Sequence, residues 1–370
     1  MKIVLGVCGF GFGHSTRQRP ILEGLLTRGH EVILITNDQS YAFFTQNYPN
    51  VRNARVYVPA MHTTPNGLDF AATANDPRNI QPEAQPAFWN ACGLIDREFG
   101  KPDLVISDYD MVSAQVAYLF GVPLVTLDQQ SKFLGYDFPD VDGYNPNEHR
   151  MRLGYFFPKA KARIATSYFK VNYAPIDEYP VMIIPPIMGA DVKSFTPAPI
   201  DKHVTVYISA ASYIRQSMDE LLTVFGRFPD YRFTCFVEGK SAQPPPTNVV
   251  LKPSSRADFI DSLRQSTAVI GTAGHNLITE ALYLHVPMFL LPFDHYEQQL
   301  NAHIITSEEL GYADSRITEA NLGTFFSQLE WYGNNRRESE LIYSRFDGDM
   351  VFLELIEAMK SDLNRGDAEK

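Results

Sequence analysis

Short β-branched runs, each followed by a stretch of helical periodicity, recur along this chain, and the pattern runs through twice. In the first half, runs at 3–8, 32–36, 54–58, 103–107 and 123–127 read as strands, with helical stretches at 16–29, 40–47, 84–99 and 111–120. In the second half, strands at 204–209, 232–237, 248–251, 268–271 and 287–291 accompany helices at 216–227, 256–265 and 275–284. Helices alone follow at 297–310, 318–329 and 335–363, the last with a break near Asp347-Gly348. Parallel strands need a crossover between them, so this alternation predicts parallel sheets covered by helices. Between the halves, Ile184-Pro185-Pro186-Ile187 through Phe195-Thr196-Pro197-Ala198-Pro199 can continue neither element and reads as a linker. The expected architecture is α/β: two Rossmann-like, doubly wound domains facing each other across a cleft. Residues 1–190 form the first domain and 200–348 the second, and a C-terminal helix at about 349–370 packs back on the first.

Composition narrows the function. With 32 Lys+Arg against 43 Asp+Glu the net charge is −11, which argues against a nucleic-acid partner, because that affinity comes largely from cationic contacts. The three cysteines, Cys8, Cys92 and Cys235, are widely spaced and suit neither a disulfide framework nor a CxxC metal site, so a reducing cytoplasm is the expected setting. The opening MKIVLGVCGFGFG reads as a strand entering a glycine-rich loop, not a secretory leader, since no small-residue cleavage site follows and glycines break the apolar run. The densest apolar run, Val286 to Phe293, contains two prolines and is far short of a membrane span.

Open parallel sheets bind ligands outside the carboxyl ends of their strands, where strand order reverses. After the first strand, Gly9, Gly11 and Gly13 alternate before His14, at the point where a helix must begin. Such a turn presents bare N–H groups to an anion or sugar, but the spacing is neither the dinucleotide G-x-G-x-x-G nor a triphosphate P-loop. His14 is either a helix-capping residue or, facing the cleft, a general base, a role suited to its reference pKa of about 6.5. Asp108, at the end of Leu104-Val105-Ile106-Ser107-Asp108, reads alone as a helix cap; beside His14 it would orient the imidazole and stabilise the imidazolium. In the second half, Thr267 to Leu282 gives a strand, a small-residue turn and a helix starting near Gly274, with Glu280 two turns in. The next strand ends in Asp294-His295-Tyr296-Glu297-Gln298-Gln299. These segments offer N–H groups and hydroxyls for a diphosphate, a carboxylate for vicinal hydroxyls and amides for a sugar.

In order and spacing they resemble the nucleotide-sugar-dependent glycosyltransferases of the GT-B fold, in particular the inverting group that holds the lipid-linked N-acetylglucosamine transferase of peptidoglycan synthesis. The first-domain segments GFGHSTR and KPDLVISDYDMVSAQVAYLFGVPLVTLDQQ are more similar still to a bacterial and archaeal branch labelled teichoic-acid-type glycosyltransferases. The resemblance spans both domains, with gaps at roughly 60–90 and 135–180. It implies that Gly13, Thr272, Gly274, His275 and Asn276 bind the nucleotide sugar around its diphosphate, that Glu280 binds ribose hydroxyls, and that Glu297, Gln298 and Gln299 bind the sugar. His14 would be the acceptor-activating base and Asp108 its support. Thr272 departs from the histidine found there in many small-molecule enzymes, and one extra residue follows Pro292 before the Glu-Gln pair.

Retaining relatives carry a second glutamate eight positions beyond the first, whereas the position eight beyond Glu280 is Met288, so the expectation is inversion. Inversion needs one base and no metal or cofactor. Asp140-Val141-Asp142 lies in a loop and reads as solvated. The expected donor is a nucleoside-diphosphate sugar, UDP-sugar foremost. The acceptor is unnamed, and a sugar-nucleotide 2-epimerase or a non-catalytic sugar-nucleotide-binding subunit are the alternatives. From His149 to Ile176 no acidic residue occurs, while Arg150, Arg152, Lys159, Lys161, Arg163 and Lys170 alternate with aromatics. That stretch reads either as an ordinary basic face or, over 149–170, as a peripheral contact with an anionic membrane or a phosphorylated acceptor. Met61 to Pro86, with His62, reads as acceptor-side loops.

Overall fold

The computed structural model describes residues 1–60, 62–64, 67–80, 82–208, 215–236 and 243–368. The first domain runs β1 (Lys2–Val7), α1 (Phe12–Thr27), β2 (Glu31–Thr36), α2 (Asp38–Asn47) and β3 (Arg52–Arg55). It continues through the hairpin β4 (Thr63–Thr64) and β5 (Gly67–Leu68), then α3 (Phe70–Asn75), α4 (Ala84–Phe99), β6 (Leu104–Asp108), α5 (Met111–Phe120) and β7 (Leu124–Asp128). α6 (Lys132–Gly135), α7 (Asn147–Phe156), β8 (Ala162–Thr166), β9 (Met182–Ile184) and α8 (Ala190–Lys193) complete it. The second domain runs β10 (His203–Tyr207), α9 (Met218–Phe225), β11 (Arg232–Phe236), β12 (Val249–Lys252), α10 (Arg256–Arg264), β13 (Ala268–Gly271), α11 (His275–Tyr283) and β14 (Met288–Leu290). After it come α12 (Tyr296–Ser307), β15 (Gly311–Ala313), α13 (Glu319–Ser327), α14 (Leu329–Glu338) and α15 (Gly348–Ala368).

The strands form a seven-stranded parallel sheet in the order β3-β2-β1-β6-β7-β8-β9 and a six-stranded parallel sheet in the order β12-β11-β10-β13-β14-β15. Strand order reverses between β1 and β6 in the first sheet and between β10 and β13 in the second. Both faces of each sheet are covered, so the central strands are continuous apolar runs. On the first sheet, Ile3, Leu5 and Val7 pack with α1, while Val4, Ile33 and Val105 pack with Ala91, Cys92 and Ile95 of α4. The chain's last helix lies on the α1 face: Phe352, Leu353 and Ile356 enter the core with Ile21, Leu22 and Leu25, and His30 Nε2 meets Glu357 Oε1 at 2.6 Å.

Three strands of the two large sheets lie outside the periodic segments of the sequence: β8, β9 and β15. They have three to five residues each, and β9 sits between Pro180 and Pro185, so no pattern can build up. The helical stretch 335–363 divides where the chain returns to the first domain. There Lys170 N–H donates to Leu341 O at 2.8 Å and Tyr343 N–H to Tyr168 O at 2.9 Å. The proline-rich linker is packed, with Met188 and Val192 buried among residues of both domains.

Phe352 is fully buried between α15 and the first sheet. Phe352→Ala is expected to destabilise the chain by about 3–5 kcal/mol in urea unfolding. A loss below about 1 kcal/mol would show that α15 is not part of that core.

Candidate active site

The reversal point of the first sheet carries a buried charge cluster. β1 and β6 pair in register with Val7 opposite Asp108, and Cys8 N–H donates to Asp108 O at 3.1 Å. The loop from β1 reaches α1 through Gly11, whose φ of 73° is a left-handed conformation that glycine adopts without strain. His14 and Arg17, three residues apart on α1, share a face and turn toward β6. Helix capping falls to Asp110, which accepts Val112 N–H at 3.1 Å and Ser113 N–H at 3.2 Å, and Asp108 is left to the cleft. Tyr109 between them holds a φ of 53°, a strained value for a bulky residue, and its ring stacks on His14 at 6.2 Å.

Asp108 Oδ1 lies 3.0 Å from His14 Nδ1 and 2.6 Å from Arg17 Nη2, and all three side chains are buried. Asp108 Oδ2 and Arg17 Nε have no hydrogen-bond partner. Burial works against ionising Asp108, but the facing Arg17 and His14 charges prevail and hold its carboxyl below the usual range. Burial also opposes the imidazolium of His14, yet the Cys8 sulfur and the Asp108 carboxylate beside it outweigh that and raise its pKa to about 10. Arg17 Nη2 also stands 2.9 Å from His14 Nδ1. In the protonated ring, and in the tautomer that directs Nδ1–H at Asp108, Nε2 is the ring nitrogen left to meet a ligand.

In the second domain, the turn Thr272-Ala273-Gly274 leaves β13 and α11 begins at His275. A side chain at Gly274 would meet nothing within contact distance, so the start of the helix opens onto free space. His275 is buried against Tyr168, ring centroids 5.4 Å apart, and its Nε2 has no partner; burial drives its pKa well down, so it is neutral. The Asn276 amide crosses to the first domain, donating to Gly13 O at 2.7 Å and Thr16 Oγ1 at 2.9 Å. Asn276 is therefore a domain-to-domain contact. Glu280 is buried with Arg256 Nη1 on its Oε1 at 2.6 Å, and Arg256 also reaches Asp191 of α8 at 3.0 Å. On α12, Glu297 accepts Gln129 Nε2 at 2.6 Å and Gln130 Nε2 at 3.4 Å from the first domain. Gln298 and Gln299 fold back on the Phe293 backbone, accepting its N–H at 3.1 Å and donating to its carbonyl at 2.8 Å. Of that trio, Glu297 alone faces the first domain in these contacts.

Residues 1–330 match the family described as glycosyl transferase family 1. The chain belongs to that family. A Methanosarcina acetivorans protein described as an uncharacterized glycosyltransferase is 24% identical over 96% of this chain and 98% of its own length. One from Methanosarcina mazei, described in the same words, is 23% identical over the same shares. Among solved structures, the glycotransferase of kitacinnamycin aligns with a TM-score of 0.63 at 16% identity, over 96% of this chain and 98% of that one. Acinetobacter baumannii MurG aligns with a TM-score of 0.60 at 13% identity, over 97% of this chain and all of that one. The fold is GT-B, and the two facing parallel-sheet domains are its halves.

Three residues around the site escaped sequence reasoning: Arg17, Cys8 and Arg256. Arg17 stood three residues after His14 on one helix face, a spacing that could have found it; the others depend on contacts distant in sequence. Half of the stretch 149–170 is buried: Phe156, Phe157, Tyr168 and Phe169 are interior, and Arg150 and Arg163 donate to main-chain carbonyls of Phe133 and Phe157, while Lys159, Lys161 and Lys170 are exposed. Only Tyr155 of its aromatics is exposed, so the segment does not present a basic-aromatic face as a unit. In the insert 61–86, where 61, 65, 66 and 81 lie outside the described residues, His62 Nε2 meets Asp76 Oδ2 at 2.7 Å. Among the described residues no helix is long and apolar enough to cross a membrane, and no group of three or more His, Cys, Asp or Glu is gathered as a metal site. Asp140 and Asp142 are exposed.

The cluster predicts a displaced titration. His14 should titrate near 10 by NMR, and Asp108→Asn should lower its midpoint because an attractive charge is removed. A midpoint at the ordinary histidine value in both proteins would show that Asp108 does not act on His14.

Proposed function

We propose that this glycosyltransferase is an inverting enzyme that moves a sugar from a nucleoside-diphosphate donor, UDP-sugar foremost, to an acceptor hydroxyl or comparable nucleophile. The observation that supports it most directly is the meeting of the two reversal points. Asn276 at the start of α11 bonds to Gly13 O, the residue before His14, so a histidine–aspartate pair stands against an open helix N-terminus. Such an N-terminus suits phosphate, because its free N–H groups and its dipole both favour an anion.

In this reading the diphosphate lies before Thr272, Gly274 and His275, Glu280 holds the ribose and Glu297 the sugar. His14 Nε2 accepts the proton from the acceptor as the acceptor oxygen bonds to the anomeric carbon from the face opposite the diphosphate. The carbon–oxygen bond to phosphate breaks, and its electron pair leaves on the diphosphate, whose charge the α11 N-terminus stabilises. Asp108 keeps Nδ1–H in place and stabilises the imidazolium that forms. Turnover on this account requires no cofactor.

His14→Ala should lower single-turnover transfer from a saturating donor by about two to four powers of ten, with little change in nucleotide affinity, and Asp108→Asn should lower it less. Near-parental turnover of His14→Ala would eliminate this base. Because the base acts only when neutral, kcat/KM should rise with pH toward about 10, and Asp108→Asn should move that rise to lower pH. Glu280→Ala should weaken nucleoside-diphosphate binding by about 1–3 kcal/mol in calorimetry. Unchanged affinity with the fold intact would take Glu280 out of the site. Donor stereochemistry followed without acceptor separates transfer from epimerisation, and an absence of any turnover leaves a binding subunit.

A further inference from the structure

A lysine lies buried where the domains meet, and the reaction described above gives it no part. Lys132 follows the end of β7, and its side chain has no solvent exposure. Asp128 turns it inward: the carboxylate accepts Ser131 N–H at 2.6 Å and Ser131 Oγ–H at 2.8 Å, closing the loop tightly. The ammonium then donates to Gln129 O at 2.8 Å and Gln129 Oε1 at 3.3 Å, and it sits 5.0 Å and 5.5 Å from the ring centroids of Phe133 and Phe169. No carboxylate stands within ion-pair distance of it among the described residues. A buried ammonium without a contacting counter-ion is costly, and replacing one by an apolar side chain is commonly neutral or stabilising, so packing gives no reason for a lysine here.

Its neighbours touch the second domain on two sides. Gln129, which holds the ammonium, also holds Glu297, while Phe169 beneath it contacts Tyr168, whose ring lies 5.4 Å from that of His275. His275 Nε2 and both ring nitrogens of His149 are buried and unpartnered. The amine is thus set between the sugar-side carboxylate and the first residue of α11, among buried imidazole nitrogens that lack partners. A ligand bearing acidic oxygens would supply the amine with a counter-charge and accept the N–H of such a ring.

We infer that Lys132, supplied by the first domain, binds the diphosphate of the nucleotide, adding a positive charge to the leaving group held before α11. This inference rests on the donor reading above. It makes closure of the two domains part of leaving-group stabilisation, because the cation and the helix N-terminus belong to different domains. The charged or titratable groups facing Lys132 are Asp128 from β7, Arg17 from α1, His149 from α7, His275 from α11 and Glu297 from α12. Burial, the largest influence, lowers the Lys132 pKa to about 8, against the pull of Glu297 and Asp128. Bound phosphate would favour its charged form.

The test is titration calorimetry of the full chain and of Lys132→Met with UDP, GDP, dTDP, CDP and ADP, each beside its uncharged nucleoside. Lys132→Met should weaken the diphosphate that the parent binds by about ten- to a hundredfold and leave the nucleoside within about twofold. The parent's diphosphate affinity should fall between pH 7 and 9 as the ammonium loses its proton. The Met variant should lack that fall, whereas any share carried by His14 would persist in it. Equal losses for diphosphate and nucleoside, or an unchanged diphosphate affinity and pH profile, would overturn the inference. A parent that binds none of the diphosphates would instead overturn the donor reading itself.

Discussion

The first-domain half of the cleft depends on one oxygen atom, Asp108 Oδ1, which receives both His14 Nδ1 and Arg17 Nη2. A carboxylate with no exposure costs several kcal/mol unless its charge is answered, and here two donors from one helix face answer it. The in-register pairing of β1 with β6 makes this possible, because it sets the strand end that carries Asp108 beside the loop that starts α1. Arg17 shares the carboxylate oxygen with His14, and the imidazolium is held against the cost of burial by Cys8 and Asp108 together. A base with a raised pKa is a strong proton acceptor once neutral, and its neutral fraction then limits the rate.

Polar atoms buried without partners concentrate along this edge: Arg17 Nε, Gln18 Oε1, Asn37 Nδ2, Asp108 Oδ2 and His275 Nε2 all lie in or near loops leaving the carboxyl ends of strands. Native interiors leave few such atoms, since each costs about 1–3 kcal/mol. Others lie elsewhere, at His149 of α7 and at Arg163 inside β8, but the group beside the strand ends is what a surface shaped for a polar ligand requires. Apolar contacts hold the walls around it. Phe133, Phe138 and Tyr168 of the first domain pack in one cluster with Leu277, Ile278 and Tyr296 of the second.

Legibility followed the range of the interaction. β1, β2, β6, β7 and β13 were readable because strands buried on both faces are continuous β-branched runs. β8, β9 and β15 were too short and too interrupted by prolines, glycine or charge. His14 and Asp108 were legible from their places at strand ends, but the assignment of the cap to Asp110 was not, because both aspartates stand in one short segment. The charge reversal at 149–170 was a true feature of composition. Composition does not say which way side chains point, however, and four of the aromatics turned inward while Arg150 and Arg163 found carbonyls. Lys132 and the Gln129–Glu297 bond required knowing that residues far apart in sequence face each other.

That Gln129–Glu297 bond bears on specificity. In the proposed reading Glu297 binds sugar hydroxyls, and here two glutamine amides of the first domain occupy its oxygens, Gln129 at 2.6 Å and Gln130 at 3.4 Å. An amide on a carboxylate and a hydroxyl on a carboxylate are both charge-assisted bonds of about 1.5–3 kcal/mol, so exchanging one for the other is nearly even in free energy. A sugar with two suitably placed hydroxyls could displace both glutamines and leave the carboxylate fully bonded. A sugar lacking one would leave an oxygen of Glu297 unpaired in a partly buried cleft, a loss that the displaced amide can recover only by staying in place and blocking the sugar. Competition from within the chain thus turns a small difference in hydroxyl pattern into a larger difference in occupancy.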